Sequence, residues 1–132
     1  MDSKIKKLDS LFSQYVRLRD VECVVKKKCN GRRGEYIHPH HTFSRSCHEL
    51  RWDQLNGDAV CADCHRYIES NRKWWEDFKI AQLGEDAYYK LRRIFKGAPT
   101  KKFARWELEE MIELYQGKVR DFEVCRQAEE LF

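Results

Sequence analysis

Cys61 and Cys64 stand with two residues between them, and this pair restricts the chain more than any other feature. Two thiols at that spacing on a tight turn can share one tetrahedral ion, with metal–sulfur distances of ~2.3 Å. A single pair can also serve as a redox dithiol. Here a second pair, Cys23 and Cys29, lies upstream, bracketing Val24-Val25-Lys26-Lys27-Lys28 and followed by Gly-bearing turns. Two pairs favour a structural zinc held by Cys23, Cys29, Cys61 and Cys64. The five residues between Cys23 and Cys29 exceed the usual gap of about two to four. Cys47 is the main alternative ligand. Cys125, on a helix with an apolar side, reads as a small buried residue.

The rest of the chain says where such a framework can exist. Met1-Asp2-Ser3-Lys4-Ile5-Lys6-Lys7 has charge but no apolar run after it, unlike a signal peptide. No apolar stretch approaches the ~20 residues of a membrane span. The expected location is the cytoplasm, where thiols stay reduced and cysteine pairs are metal ligands rather than disulfides.

A chain of 132 residues with 42% hydrophobic and 36% charged content buries one modest core. A structural metal adds to such a core. The net charge of +4 is uneven: residues 1–66 hold 13 Lys/Arg and 9 Asp/Glu, and residues 67–132 hold 13 of each. The surplus sits with the cysteines and histidines, as phosphate binding requires. Taken alone, a charge of this size is also ordinary for a soluble protein.

Periodicity predicts an amphipathic helix over 3–20, with Ile5, Leu8, Leu11, Phe12, Tyr15, Val16 and Leu18 on one stripe and Ser3 as N-cap. Residues 21–35 read as irregular, with turns at Asn30-Gly31 and Arg32-Arg33-Gly34. Lys26 to Lys28 with Arg32 and Arg33 make a basic loop, for which simple solvation is the alternative. Tyr36-Ile37 favour a strand, and Thr42-Phe43 its return. Residues 46–60 read as loop, and a helix is expected from Asp63 through Lys79. A second helix spans Glu85 to Phe95, Gly97-Ala98-Pro99-Thr100 interrupts the chain, and a last helix runs from near Phe103 to about Leu131. The expected class is α+β and mostly helical. The expected units are an N-terminal helix (1–22), a zinc-stabilised core (23–82) and a C-terminal helical extension (83–132).

The histidines cluster between His38 and His65. His40 and His41 fall on or beside the strand, Asn56 in the following loop, and His65 at the start of a helix. Phosphodiester hydrolysis needs a base for water, a cation beside the phosphoryl oxygens and a grip on the phosphate. A neutral histidine suits the first role and paired histidines the second. An Asn amide can orient the base.

His40-His41, Asn56 and Cys61-x-x-Cys64-His65 resemble the HNH, or ββα-metal, nuclease motif. More narrowly, the chain resembles the phage NinG/Rap family of recombination nucleases. The residues that carry this are Leu11-Phe12-Ser13, Tyr15-Val16-Arg17-Leu18-Arg19-Asp20, His41-x-x-Ser44-Arg45, Arg51-Trp52-Asp53-x-x-Asn56, Cys61-x-x-Cys64 and Trp106-Glu107-Leu108-Glu109-Glu110. The similarity covers most of residues 8–122. Where that family tends to have Gly before the base and Asn after the last cysteine, this chain has His40 and His65.

The resemblance implies a two-stranded hairpin and a helix around one Mg2+ or other divalent ion. It implies His41 as general base, His40 and His65 as ligands of the catalytic ion, and Asn56 as the brace that orients His41. It also implies a DNA substrate, duplex or branched, and a role in phage recombination or DNA processing in the host cytoplasm. Side chains at 40 and 41 point to opposite faces of a regular strand, so both reach one site only if Pro39 bends it. Arg45, Arg51, Arg66, Arg72 and Lys73 would surround the site as phosphate contacts without reading sequence. Trp52 reads as packing over the loop rather than a base-stacking platform. The alternatives are a zinc-stabilised DNA-binding module that does not cut, and a homing-type endonuclease, which would need a sequence-reading arm. The last helix suits either closing the domain or building a homodimer.

Overall fold

A computed structural model describes residues 2–97 and 101–131. Among the described residues, six α-helices surround a two-stranded antiparallel sheet: α1 (Ser3–Asp20), β1 (Ile37–His41), α2 (His48–Arg51), β2 (Gly57–Cys61), α3 (Ala62–Ser70), α4 (Arg72–Leu83), α5 (Glu85–Gly97) and α6 (Arg105–Leu131). The class is α+β and mostly helical.

Helix α1 forms as its periodicity predicts and buries Leu8, Phe12, Tyr15 and Val16. Its cap is Asp2 rather than Ser3, because the Asp2 carboxylate accepts from the Lys4 amide at 2.8 Å. A carboxylate at that position also meets the positive end of the helix dipole. The buried stripe packs on the sheet and on α6, where Leu108, Ile112, Tyr115 and Val119 face inward. Phe12, Tyr15 and Tyr115 meet at ring-centre distances near 5.5 Å. The Tyr115 hydroxyl donates to the carbonyl of Trp52. These contacts join both ends of the chain to its middle in one core.

Strand β1 pairs with Gly57–Cys61, in the register His40 opposite Asp58 and His41 opposite Gly57. The expected return at Thr42-Phe43 is not a strand. There the chain turns away, with the Thr42 amide on the Asn56 carbonyl at 3.1 Å and the Phe43 amide on Asn56 Oδ1 at 2.8 Å. The stretch read as loop therefore holds the second strand. All of β2 is buried, so it lacks the alternation that marks a half-exposed strand. Gly57 is required at its start. A Cβ there would lie 2.8 Å from Cε1 and Cζ of Phe12.

The helix expected over 63–79 is two helices. Asn71 leaves helical geometry (φ −137°, ψ 57°) and its side chain donates back to the Tyr67 carbonyl at 2.9 Å. In α4, Trp75 is buried and Trp74 half-buried, the latter against Tyr67 and Phe78. Lys79 is buried and pairs with Asp58 at 2.8 Å. Gln82 and the Leu55 carbonyl complete that network. A smaller second core joins Phe43, Cys47 and Leu50 to Tyr88 and Leu91 of α5. The interruption read at Gly97–Thr100 falls mostly on residues 98–100, outside the described residues. Cys125 is exposed, contrary to expectation. Val119 is the last buried residue of α6 among the described residues, and beyond it the helix has little to pack against.

Candidate metal centre and histidine cleft

Four thiols converge. The sulfurs of Cys23, Cys29, Cys61 and Cys64 all lie within 4.8 Å of one another. The Cys29–Cys64 sulfur distance is 3.9 Å. A tetrahedral zinc with ~2.3 Å bonds needs sulfur–sulfur edges of ~3.8 Å, so the four cysteines could hold such a metal. Cys47 lies elsewhere, in the second core.

Local folding explains the convergence. Cys61 ends β2 and caps α3, and its sulfur accepts from the Cys64 amide at 3.4 Å. Residues 22–33 fold over the far side of β2, with the Val24 amide on the Ala59 carbonyl at 3.0 Å. The Cys61 amide then meets Cys23 Sγ at 3.5 Å and the Lys28 amide meets Cys64 Sγ at 3.4 Å. Amides aimed at sulfur favour thiolates. Burial opposes ionisation of Cys29, but the Arg32 and Gly31 amides and the Cys61 and Cys23 thiols outweigh it and bring Cys29 down to about 7. Burial pushes Cys64 up to about 12. Within the cluster Cys29 thus ionises more readily than Cys61 and Cys64, whose burial opposes the thiolate.

The histidines line a cleft beside this knuckle. His40, His41, Ser44, Arg45, His65 and Glu69 lie along one cavity of about 550 Å3. The His40 and His65 rings are 4.8 Å apart, and Trp75 packs edge-on against His40 at 5.2 Å. Burial, then the charges of His65, His41 and Lys79, hold His40 down at about 4. Its ring is therefore neutral at neutral pH, with a lone pair to give. His41 contacts Phe12 at 5.5 Å and places Nε2 2.8 Å from the Arg51 carbonyl. Burial lowers its basicity more than that hydrogen bond raises it.

Asn56 is fully buried and makes no direct hydrogen bond to His41. Its amide donates to the carbonyls of Phe43 at 3.0 Å and Leu50 at 2.9 Å. It thereby fixes the end of α2, where the Arg51 carbonyl meets His41 Nε2.

The five basic residues split into different settings. Arg45 is exposed, lines the cleft, and lies 3.6 Å from Asp9. Arg51 is buried in a two-point pair with Asp9, at 3.0 and 2.6 Å. Trp52 Nε1 donates to the same carboxylate at 2.9 Å. The Arg51-Trp52 pair thus clamps its loop to α1. Arg66 is exposed and paired with Asp63. Arg72 is exposed at the rim of a neighbouring cavity that His40 and His41 also line. Lys73 is exposed and pairs with Asp77 at 3.2 Å.

Three residues of the site escaped the sequence reading. Asp9 anchors the clamp. Glu69 stands one helical turn after His65, with Oε1 3.4 Å from its Nε2. Asp58, opposite His40, is neutralised by Lys79. The His65-x-x-x-Glu69 spacing was the one available signal, since such pairs share a helix face. Among the described residues, the four cysteines are the one convergent group of three or more potential ligands.

Fold and site together define a small α+β protein with a four-thiol knuckle beside a histidine-lined cleft. A family model described as Bacteriophage Lambda NinG protein matches residues 2–124, and the chain belongs to that family. No curated protein and no solved structure matches the chain. Among the described residues, no helix is long and apolar enough to cross a membrane.

Proposed function

We propose that this NinG-family chain is a metal-dependent DNA endonuclease or nickase of the HNH kind, acting in phage recombination or DNA processing. One observation carries the reading. An antiparallel strand pair runs directly into α3 and sets the His40 and His65 rings 4.8 Å apart, in a cleft that His41 also lines. His40 and His41 both line that cavity, although their rings pack against different neighbours, His40 against His65 and Trp75 and His41 against Phe12.

The donors suit a divalent ion: two histidines, one of them held neutral, with the Glu69 carboxylate beside His65. A divalent ion held by His40, His65 and Glu69 would stabilise charge on phosphoryl and leaving oxygens. His41 takes the proton from the attacking water. Its Nε2 is occupied by the Arg51 carbonyl, which leaves Nδ1 as the basic atom. Arg45 and Arg72 at the rims attract and align the phosphate backbone. The four thiolates would hold a structural zinc, tying α3 to the end of β2.

The test is cleavage of plasmid, linear duplex, single-stranded and four-way-junction DNA, with Mg2+ or Mn2+ and with EDTA. Divalent-dependent nicking is expected. A zinc-loaded, folded chain that binds these DNAs and cuts none would leave a non-cleaving DNA-binding module. One observation favours that second reading: the histidine cleft lacks a third ligand atom as tightly gathered as the thiols.

A further inference from the structure

The knuckle carries positive charge that the cleft does not use. Lys26 and Arg33 are paired with Glu22, and Arg32 with Asp63 at 2.6 Å. Lys27 and Lys28 are exposed and, among the described residues, have no carboxylate partner. Each sits instead over an aromatic ring. Lys27 Nζ is 5.3 Å from the Trp74 ring centre, and Lys28 Nζ is 5.7 Å from that of Tyr67. The two rings pack edge to face at 5.3 Å. Both ammonium groups are therefore held by an aromatic floor that steadies them without cancelling their charge.

An open groove of about 610 Å3 runs between this loop and α3, lined by Lys28, Asp63, Arg66, Tyr67, Ser70 and Asn71. Its carboxylate, Asp63, already lies between Arg32 and Arg66. Helix α3 stands between groove and cleft. His65 and Glu69 face the cleft, while Arg66 and Ser70 lie about 100° further round the helix. A helix is ~10–12 Å across with its side chains. Measured along the duplex axis, a DNA strand covers that distance in about three nucleotides.

We propose that this groove and the lysine beside it form a phosphate clamp for DNA: Lys28 in the groove and Lys27 over the adjoining Trp74 ring hold backbone phosphates about three nucleotides along the duplex axis from the one in the histidine cleft. The proposal rests on the nuclease reading for its substrate, but its own claim concerns binding. Ammonium groups grip phosphate as point charges and read no sequence, so the clamp adds affinity and register rather than specificity. The Lys28 amide bound to Cys64 Sγ ties the clamp to the knuckle.

The test is binding of a short labelled duplex over a salt series, with neither divalent ion nor chelator added. The full chain is compared with the Lys27→Gln/Lys28→Gln and Lys27→Arg/Lys28→Arg double variants, after metal content and helicity are checked. Each lost phosphate contact lowers the slope of log K against log salt by about 0.9. The Gln variant should stay folded and metal-loaded, bind several-fold more weakly at low salt, and lose about 1.8 of slope, with the Arg variant close to wild type. An unchanged slope in the folded Gln variant overturns the clamp, whether or not the wild type cuts. So does a wild type that fails to bind duplex. A lysine-dependent slope in a wild type that never cuts supports the clamp and removes the nuclease reading alone.

Discussion

His41 Nε2 lies 2.8 Å from the carbonyl oxygen of Arg51. A carbonyl only accepts, so Nε2 bears the proton and Nδ1 keeps the lone pair. The Arg51 side chain is meanwhile fixed on Asp9 of α1. The tautomer of His41 is thus set by a residue anchored outside the cleft.

If that Nδ1 is the base, His41→Ala should lower plasmid nicking by about 10²- to 10⁴-fold. Duplex binding should change little, and His41→Gln, which loses less of the packing on Phe12, should show the same loss of nicking. Nicking at the wild-type rate would remove His41 from the reaction.

Gly57→Ala should destabilise the fold by roughly 1–3 kcal/mol, because the new methyl meets a ring that cannot retreat. Phe12 is fully buried between Gly57, His41 and Tyr115. Urea unfolding measures the loss, and adding Phe12→Leu should recover part of it. An unaltered midpoint would mean that α1 does not press on β2 as described.

Removing a knuckle thiol should cost folding as well as metal. Cys61→Ser is expected to lower Tm by roughly 10 °C or more and to abolish stoichiometric zinc, since metal binding supplies folding free energy. Cys47→Ser and Cys125→Ser should keep the zinc, because neither thiol belongs to the cluster. A Cys61→Ser chain with normal metal content would refute the ligand set.

Asp9 predicts an acid limb. Burial alone would raise its carboxyl, but hydrogen bonds from Arg51 and Trp52 and the charges of Arg51 and Arg45 hold it below the ordinary 3.8. A carboxyl that ionises more easily folded than unfolded stabilises fully above its unfolded value. That contribution fades as pH falls through the lower, folded value. Asp9→Asn should therefore be less stable than wild type at neutral pH, and the two should converge as pH drops below 3.8. Parallel stability curves down to that pH would show that the clamp contributes nothing through charge.

The helices were legible because α1, α5 and the first two-thirds of α6 each bury one stripe at helical spacing. The four thiols were legible as two pairs, and three dimensions were needed to choose Cys29 over Cys47. Strand β2 was hidden: Gly57-Asp58-Ala59 has weak strand preference, and burial on both faces erases alternation. Asp9 was hidden for another reason. It lies half-buried on a helix whose buried stripe is otherwise apolar, and its partners Arg51 and Trp52 are distant in sequence. Lys79 looked like an ordinary charged helix position until Asp58 was found buried beside it. In each case the missing information was which distant residue stands opposite, and a single chain read in order does not carry that.

Cys61 is at once the last residue of β2, the cap of α3 and a member of the thiol cluster. Loosening the knuckle therefore frees the end of the ladder and the first turn of α3 together, and with them the two histidine-bearing walls of the cleft. Cys61 therefore couples the geometry of the thiol cluster to that of the cleft through the backbone that it shares with both.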